Sequence, residues 1–261
     1  MGRVQLIKFR NALRTIVDKL RFPKRRICCI CDKKIGKFFS YRRGKRAPLM
    51  MALDTIGSDV TNFGCPNCGC HDRERHLVLY LREMNILEEF RNAAILHFAP
   101  ERRMSELIEA MGPNRYVKGD LHPTSEGIET INILAIQYPS DTFDFVIANH
   151  VLEHVDDDLF ALSELRRVLK VGGHAILQTP FSGTLTKTFS DPGIESDLAR
   201  YHAYGQEDHV RLYGSDVFDR IESVGFKSRV VSHSEILSNI DPQQYGVNTK
   251  EPFFLFKRVD F

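Results

Sequence analysis

The sequence predicts an α/β protein, a mainly parallel sheet covered by helices, with a small cysteine-rich module in front of it. Three observations carry that prediction. From Ala93 onward, short apolar runs alternate with amphipathic stretches, the pattern of parallel strands joined by helices. All six cysteines lie between Cys28 and Cys70. Charge is divided as well: over Met1–Pro48, 16 Lys or Arg stand against two Asp, a net +14, while the rest of the chain is net −12.

Composition narrows the class. Of 261 residues, 43% are hydrophobic and 27% charged, enough for a full core, which excludes a disordered chain and a disulfide-stapled mini-fold. No apolar run approaches the roughly 18 residues that a bilayer span needs. The first eight residues hold no uninterrupted apolar stretch, so the chain is expected in the cytoplasm.

Four regions follow in order. Residues 1–26 read as a basic amphipathic helix. Leu6, Phe9, Leu13, Ile16, Val17 and Leu20 recur at helical spacing, and Pro23 ends the segment. Such a helix either lies on an anionic membrane face or docks on the body with its cations in water. Residues 27–71 read as a zinc-binding module. Cys28, Cys31, Cys65 and Cys68 form two CxxC pairs, and two such turns bring four thiolates to one tetrahedral ion. Cys29, Cys70 and His71 are alternative ligands. Four thiolates leave no open coordination position, so the metal is structural. Arg42, Arg43, Lys45 and Arg46 beside Phe38, Phe39 and Tyr41 also suit a nucleic-acid grip. Residues 72–92, opening with His71-Asp72-Arg73-Glu74-Arg75-His76, read as a helix joining the module to the body.

Within 93–261 the spacing predicts seven strands: Ala94–Phe98, Arg115–Lys118, Thr130–Asn132, Phe143–Ala148, Gly173–Gln178, Ser228–Ser232 and Phe253–Phe256. Leu159–Leu169 and Asp216–Val224 carry helical periodicity. Open parallel sheets bind ligands at the carboxyl ends of their strands, and four polar segments fall there. His97-Phe98-Ala99-Pro100-Glu101 ends the first strand and Gly119-Asp120 the second, where an acid suits the hydroxyls of a ribose. Asn132-Ile133 ends the third, and Asn149-His150 the fourth.

The order and spacing of these segments resemble class I S-adenosylmethionine-dependent methyltransferases. Phe143-Asp144-Phe145-Val146-Ile147-Ala148-Asn149-His150-Val151-Leu152-Glu153-His154-Val155 is similar to the family's fourth-strand motif. Leu165 to His174 is similar to its helix-to-fifth-strand turn. Gln206-Glu207-Asp208-His209-Val210-Arg211-Leu212-Tyr213-Gly214 resembles a bacterial subgroup in which a cysteine module precedes the catalytic domain. The resemblance implies a Rossmann-like methyltransferase fold and cofactor contacts from His97, Ala99, Glu101, Asp120, Asn132, Ile133 and Asn149. One feature departs from the family: its first loop is usually glycine-rich, whereas Ala99, Pro100 and Glu101 stand here, a form the subgroup shares. Glu101 either pairs with the ammonium of the cofactor's methionine part or caps the next helix.

The implied reaction is attack by an oxygen or nitrogen on the sulfonium methyl, in which the enzyme mainly orients the reactants. A hydroxyl acceptor gains from a base titrating near neutrality. His150 is the first candidate and His209 the second, each with a packing role as the alternative. His154 is expected to be structural. Arg211 and Tyr213 are expected to bind the substrate, Arg211 either on an anionic acceptor or paired with Asp208. The resemblance suggests a sugar hydroxyl of a cell-surface glycan or its precursor, or another small molecule. Competing readings are a nucleic-acid methyltransferase or binder and a non-catalytic scaffold.

Overall fold

A computed structural model describes residues 26–260, and the basic helix expected over residues 1–26 lies outside them but for Arg26. Chain entry is through the first cysteine turn, between β1 (Arg26–Cys28) and β2 (Lys33–Ile35), an antiparallel hairpin. A short helix, Pro48–Ala52, leads to β3 (Thr55–Ile56). The body contains β4 (Ala94–Phe98), β5 (Arg115–Asp120), β6 (Glu129–Thr130), β7 (Phe143–Ala148), β8 (Leu169–Ile176), β9 (Phe181–Ser182), β10 (Phe226–Ser228) and β11 (Leu255–Arg258).

Seven of these strands form one sheet in the order β10-β11-β8-β7-β4-β5-β6, antiparallel only at β11. From β4 the chain builds outward through β5 and β6, then returns to place β7 on β4's other side. The order reverses between β4 and β7, and the crevice above their carboxyl ends is where such sheets hold ligands.

Two expected strands, Ala94–Phe98 and Phe143–Ala148, match β4 and β7 end to end. Both are central and almost wholly buried, so an apolar run marks their limits. The edges are displaced. The third strand shrinks to Glu129–Thr130, an exposed pair on the sheet's rim. The strand expected over Ser228–Ser232 is Phe226–Ser228 instead, and the last begins at Leu255. β8 begins four residues before Gly173, because its register against β7 jumps between Phe143 and Phe145. Gly173 permits that bulge: a Cβ there would meet the carbonyl oxygen of Asp144 at 2.8 Å.

Apolar side chains pack on both sheet faces. One face carries the helices Asp158–Val168 and Val217–Ser223, the other the helices Asp72–Glu83 and Arg102–Met111. The expected connecting helix is therefore a covering helix, with Leu77, Val78, Leu79 and Leu81 buried beneath it. Among the described residues no helix is long and apolar enough to cross a membrane.

The cysteine module is fastened to the body at several places. β3 pairs antiparallel with β9, Thr55 opposite Ser182 and Ile56 opposite Phe181. Arg75, with no exposed surface, lies 3.7 Å from the centre of the Phe38 ring. Its guanidinium donates to carbonyls of Asn62, Phe63 and Cys70 on the module and to Tyr245 and Gly246 on the body. One buried cation thus satisfies five carbonyls from three chain segments, each of which would be costly to bury unpaired.

Candidate active site

The residues expected to face the cofactor gather along the switch point. At the end of β4, Ala99 has φ +45° and donates its N–H to the Gly119 carbonyl at 2.8 Å. It takes the left-handed turn for which glycine is the usual residue, so the loop turns without the glycine that the family pattern carries. Glu101 folds back to 3.3 Å from Nε2 of His97, whose Nδ1 lies 2.8 Å from the Tyr116 hydroxyl. Burial alone would raise the Glu101 carboxyl, yet His97 beside it holds it below the ordinary range. Asp120 ends β5 half-buried, with Oδ1 accepting the His122 N–H at 2.8 Å. Asn132 is exposed and caps the Leu134 N–H, while Ile133 is buried. Asn149 is buried, and its Oδ1 has no hydrogen-bond partner.

His150 follows with φ +53°, its N–H tied to the Gln178 carbonyl at 2.6 Å. A carboxylate faces each ring nitrogen: Oε1 of Glu153 is 3.3 Å from Nδ1, and Oε1 of Glu251 is 3.9 Å from Nε2. Glu153 is fully buried and also accepts from the Thr179 hydroxyl at 2.9 Å. Burial raises its carboxyl, but the His150 contact and the charges of neighbouring histidines outweigh that and bring it down to about 2.

The residues expected to bind substrate lie elsewhere. Arg211 is buried and donates to the carbonyls of Leu152, Val155 and Asp156. The Tyr213 hydroxyl donates to Asp158 at 2.9 Å. Both brace the 209–213 segment against residues 152–158. Arg and Tyr after a sheet strand read as substrate contacts in sequence, but here the long polar side chains satisfy buried acceptors. The brace brings His209 beside His154, ring centroids 4.7 Å apart and edge to face. The pairing of Arg211 with Asp208 is not what forms: Asp208 faces His154, at 3.3 Å.

A cavity of about 380 Å³ opens between the module and the strand ends. Arg42, Lys45, Arg46 and Arg73 line it, together with His71, His150 and His209, and among the described residues no carboxylate does. Arg42 stacks between Tyr41 and Tyr201 and pairs with Glu207 at 2.5 Å. Arg73 stands in the first turn of the helix Asp72–Glu83, and its buried Nε has no partner. The neighbouring acids Asp72 and Glu74 are both raised to about 7, chiefly by burial. Phe38, a candidate base-stacking surface, is buried beneath Arg75.

Sequence reasoning missed Arg73 and Glu251 as site residues, and offered Arg42, Lys45 and Arg46 only as a nucleic-acid grip. The run from His71 to His76 was a visible signal for Arg73, but as a helix start it carried no direction. Glu251 had none, being a lone acid between two late strands.

The sulfurs of Cys28, Cys31, Cys65 and Cys68 come within 4.8 Å of one another. Both turns have one form. The residue after the second cysteine, Asp32 or Gly69, has positive φ and donates its N–H to the first cysteine's carbonyl, at 2.8 and 3.0 Å. Cys70 also approaches Cys28, at 3.4 Å, whereas Cys29 turns away to the Arg75 carbonyl.

Residues 92–177 match the family model described as a methyltransferase domain. No curated protein sequence matches the chain. Solved structures similar to it include an S-adenosylmethionine-dependent methyltransferase from Archaeoglobus fulgidus, 15% identical, covering 69% of this chain and 93% of that one with a TM-score of 0.44. Another, from Mesorhizobium loti, is 14% identical over 68% of this chain and 96% of its own, with a TM-score of 0.43. The 1,6-didemethyltoxoflavin-N1-methyltransferase of Burkholderia thailandensis, solved with 1,6-didemethyltoxoflavin and S-adenosylhomocysteine, is 13% identical over 72% and 82%, with a TM-score of 0.43. The matched segment, residues 92–177, lies on the sheet order described above and is similar to a methyltransferase domain.

Proposed function

We propose that the chain methylates an oxygen or nitrogen of a small anionic acceptor, foremost a sugar hydroxyl, seated in the cavity between the cysteine module and the strand ends. The observation that carries this reading is the lining of that cavity, where Arg42, Lys45, Arg46 and Arg73 stand with His150 and, among the described residues, no carboxylate. Basic side chains recognise phosphate and carboxylate groups, and the flanking tyrosines offer faces for a sugar ring. A lipid-linked precursor would also engage the basic stretch before residue 26.

Buried groups at the strand ends fit the methyl donor. Oδ1 of Asn149 is an acceptor without a donor, Oε2 of Glu101 has His97 3.3 Å away and lone pairs to spare, and Nε of Arg73 is a donor without an acceptor. The donor's methionine part brings an ammonium and a carboxylate, which complement them. Asp120 would hold the ribose hydroxyls, and Asn132 and Ile133 the adenine edge and face, with His97 fixing Glu101 from behind. Ala99 turns the chain at the hollow's edge. When bound, S-adenosylmethionine supplies a methyl already activated on a positive sulfur.

His150 takes the acceptor's proton on Nε2, which is buried and without a partner. Glu153 orients the ring through Nδ1, and Glu251 stabilises the imidazolium that results, the division of labour of a carboxylate–histidine base. Cys28, Cys31, Cys65 and Cys68 hold a structural zinc that fixes the cavity's outer wall.

Incubating the protein with labelled methyl donor and fractionated cell extract tests the reading. Label in a small anionic product is the expected result. Label confined to RNA or protein would overturn the acceptor class, and no label anywhere, with S-adenosylhomocysteine still bound, would leave a scaffold.

A further inference from the structure

Glu153, His154 and His209 are brought together from two segments far apart in sequence, and a donor atom of each lies within 4.8 Å of the others. We propose that these three side chains form a second metal site, distinct from the cysteine cluster, which holds a borderline divalent cation of the manganese-to-zinc series. The proposal rests on the methyltransferase reading only for the cation's role, not for its binding.

Each ligand is already oriented by its other polar atom. Nδ1 of His209 lies 3.2 Å from the Tyr204 carbonyl, and Nδ1 of His154 lies 3.2 Å from the Asp208 carbonyl. A ring that donates from Nδ1 carries its lone pair on Nε2, the arrangement found behind metal-bound histidines. Oε2 of Glu153 accepts from Thr179, leaving Oε1. Nε2 of His209 and Oε1 of Glu153 are both buried without a hydrogen-bond partner, in residues only 3% and 1% exposed. An unpaired lone pair on Nε2 of His209 buried beside a carboxylate oxygen costs free energy unless something electropositive lies between them. The 3.3 Å contact of Oε1 with His150 uses one of its lone pairs and leaves another.

The frame is rigid. Val210 donates its N–H to the Glu153 carbonyl at 2.9 Å, and Arg211 fastens the same two segments one residue further on. Two imidazoles and one carboxylate are a donor set for Mn, Fe, Co or Zn rather than for Mg or Ca. Metal bonds of about 2.1 Å set donor atoms roughly 3.4 Å apart, inside the 4.8 Å within which these three lie. Three protein ligands leave coordination positions open, and His209 and His150 both line the acceptor cavity. The open positions therefore suit an oxygen of the acceptor, which points to a hydroxyl flanked by a second oxygen, such as a vicinal diol or hydroxy acid.

The test uses the full chain with its cysteine site intact and Mn²⁺ as the probe, because thiolates select softer ions. Loss of the free Mn²⁺ electron paramagnetic resonance signal is followed on titration, with S-adenosylhomocysteine affinity measured on the same samples. Wild type is expected to bind one equivalent. His154→Ala, His209→Ala and Glu153→Gln should each weaken Mn²⁺ binding by at least the roughly 10- to 100-fold that even outer-shell changes cause. His154 is about one-third exposed, so its replacement leaves the fold intact where the buried variants do not. Mn²⁺ binding by His154→Ala equal to wild type, or none by wild type that binds S-adenosylhomocysteine, overturns the site. Mn²⁺ bound without S-adenosylhomocysteine would instead sink the cofactor reading and leave the metal site standing.

Discussion

The two sides of the strand-end crevice are built differently. On the side proposed for the methyl donor, Ala99, Glu101, Asp120, Asn132, Ile133 and Asn149 each end a strand or follow one within a few residues. Their positions come from the parallel sheet itself, since every strand must end somewhere above the switch point. On the side proposed for the acceptor the wall is assembled from residues 41–73, His150, Pro180 and residues 201–209. It owes its shape to a metal-site candidate, a buried arginine and a two-residue strand pairing. Generic topology thus suffices for a shared donor, whereas an individual acceptor needs a wall made from parts remote in sequence.

Removing the base of that wall should have the largest effect. Cys65→Ser/Cys68→Ser is expected to lose its zinc and to melt far below wild type, since structural zinc supplies on the order of 10 kcal/mol of folding energy to small modules. Equal metal content in variant and wild type, by elemental analysis, would remove the ligand set.

Next comes Arg75→Met, which leaves five carbonyls without their cation and should cost about 3–5 kcal/mol. At roughly 2–4 °C per kcal/mol for a chain of this size, the melting temperature falls by about 10 °C. A shift of under about 2 °C in calorimetry would mean that the module holds on by other contacts.

Asp120→Ala sharpens the comparison from the other side. It should weaken S-adenosylhomocysteine binding about 10- to 100-fold, the worth of charge-assisted hydrogen bonds of roughly 1.5–3 kcal/mol, with little change in melting temperature. Unchanged affinity by isothermal titration would take the ribose role away from it. Lys45→Ala, at an exposed position on the acceptor wall, should lower methyl transfer several-fold at limiting acceptor and leave cofactor affinity untouched. A matched loss of cofactor binding would show that the two sides are not separable.

The smallest effect is on pH. Burial raises Asp72 to about 7, above its value in the unfolded chain, so the folded form holds this proton more tightly. The stability it contributes is complete below about pH 4 and declines as pH rises through 7. Asp72→Asn should flatten that decline in thermal melts between pH 5 and 8, and an unchanged slope would assign it to other groups, Glu74 first.

Legibility in the sequence followed burial. β4 and β7 are central, and their apolar runs gave their ends to the residue. β6 and β10 lie at the sheet's two edges, where exposure dilutes the pattern and pairing sets the limits. The two CxxC pairs were readable because a metal-binding turn has a fixed local spacing, and the structure gathers those four sulfurs. Arg211 and Tyr213 were misread as substrate contacts, because residue type alone does not say whether a polar group meets a ligand or a buried carbonyl.

What the sequence determined by itself was the local and periodic: strand and helix alternation, the cysteine turns, and the polar residues that must follow strand ends. Only the tertiary structure decided which remote groups face one another. Glu251 opposite His150, Arg75 between module and body, and His209 beside Glu153 and His154 span up to 171 residues of chain. No local pattern encodes such meetings, since they arise from the order in which strands enter the sheet and from buried polar groups finding partners.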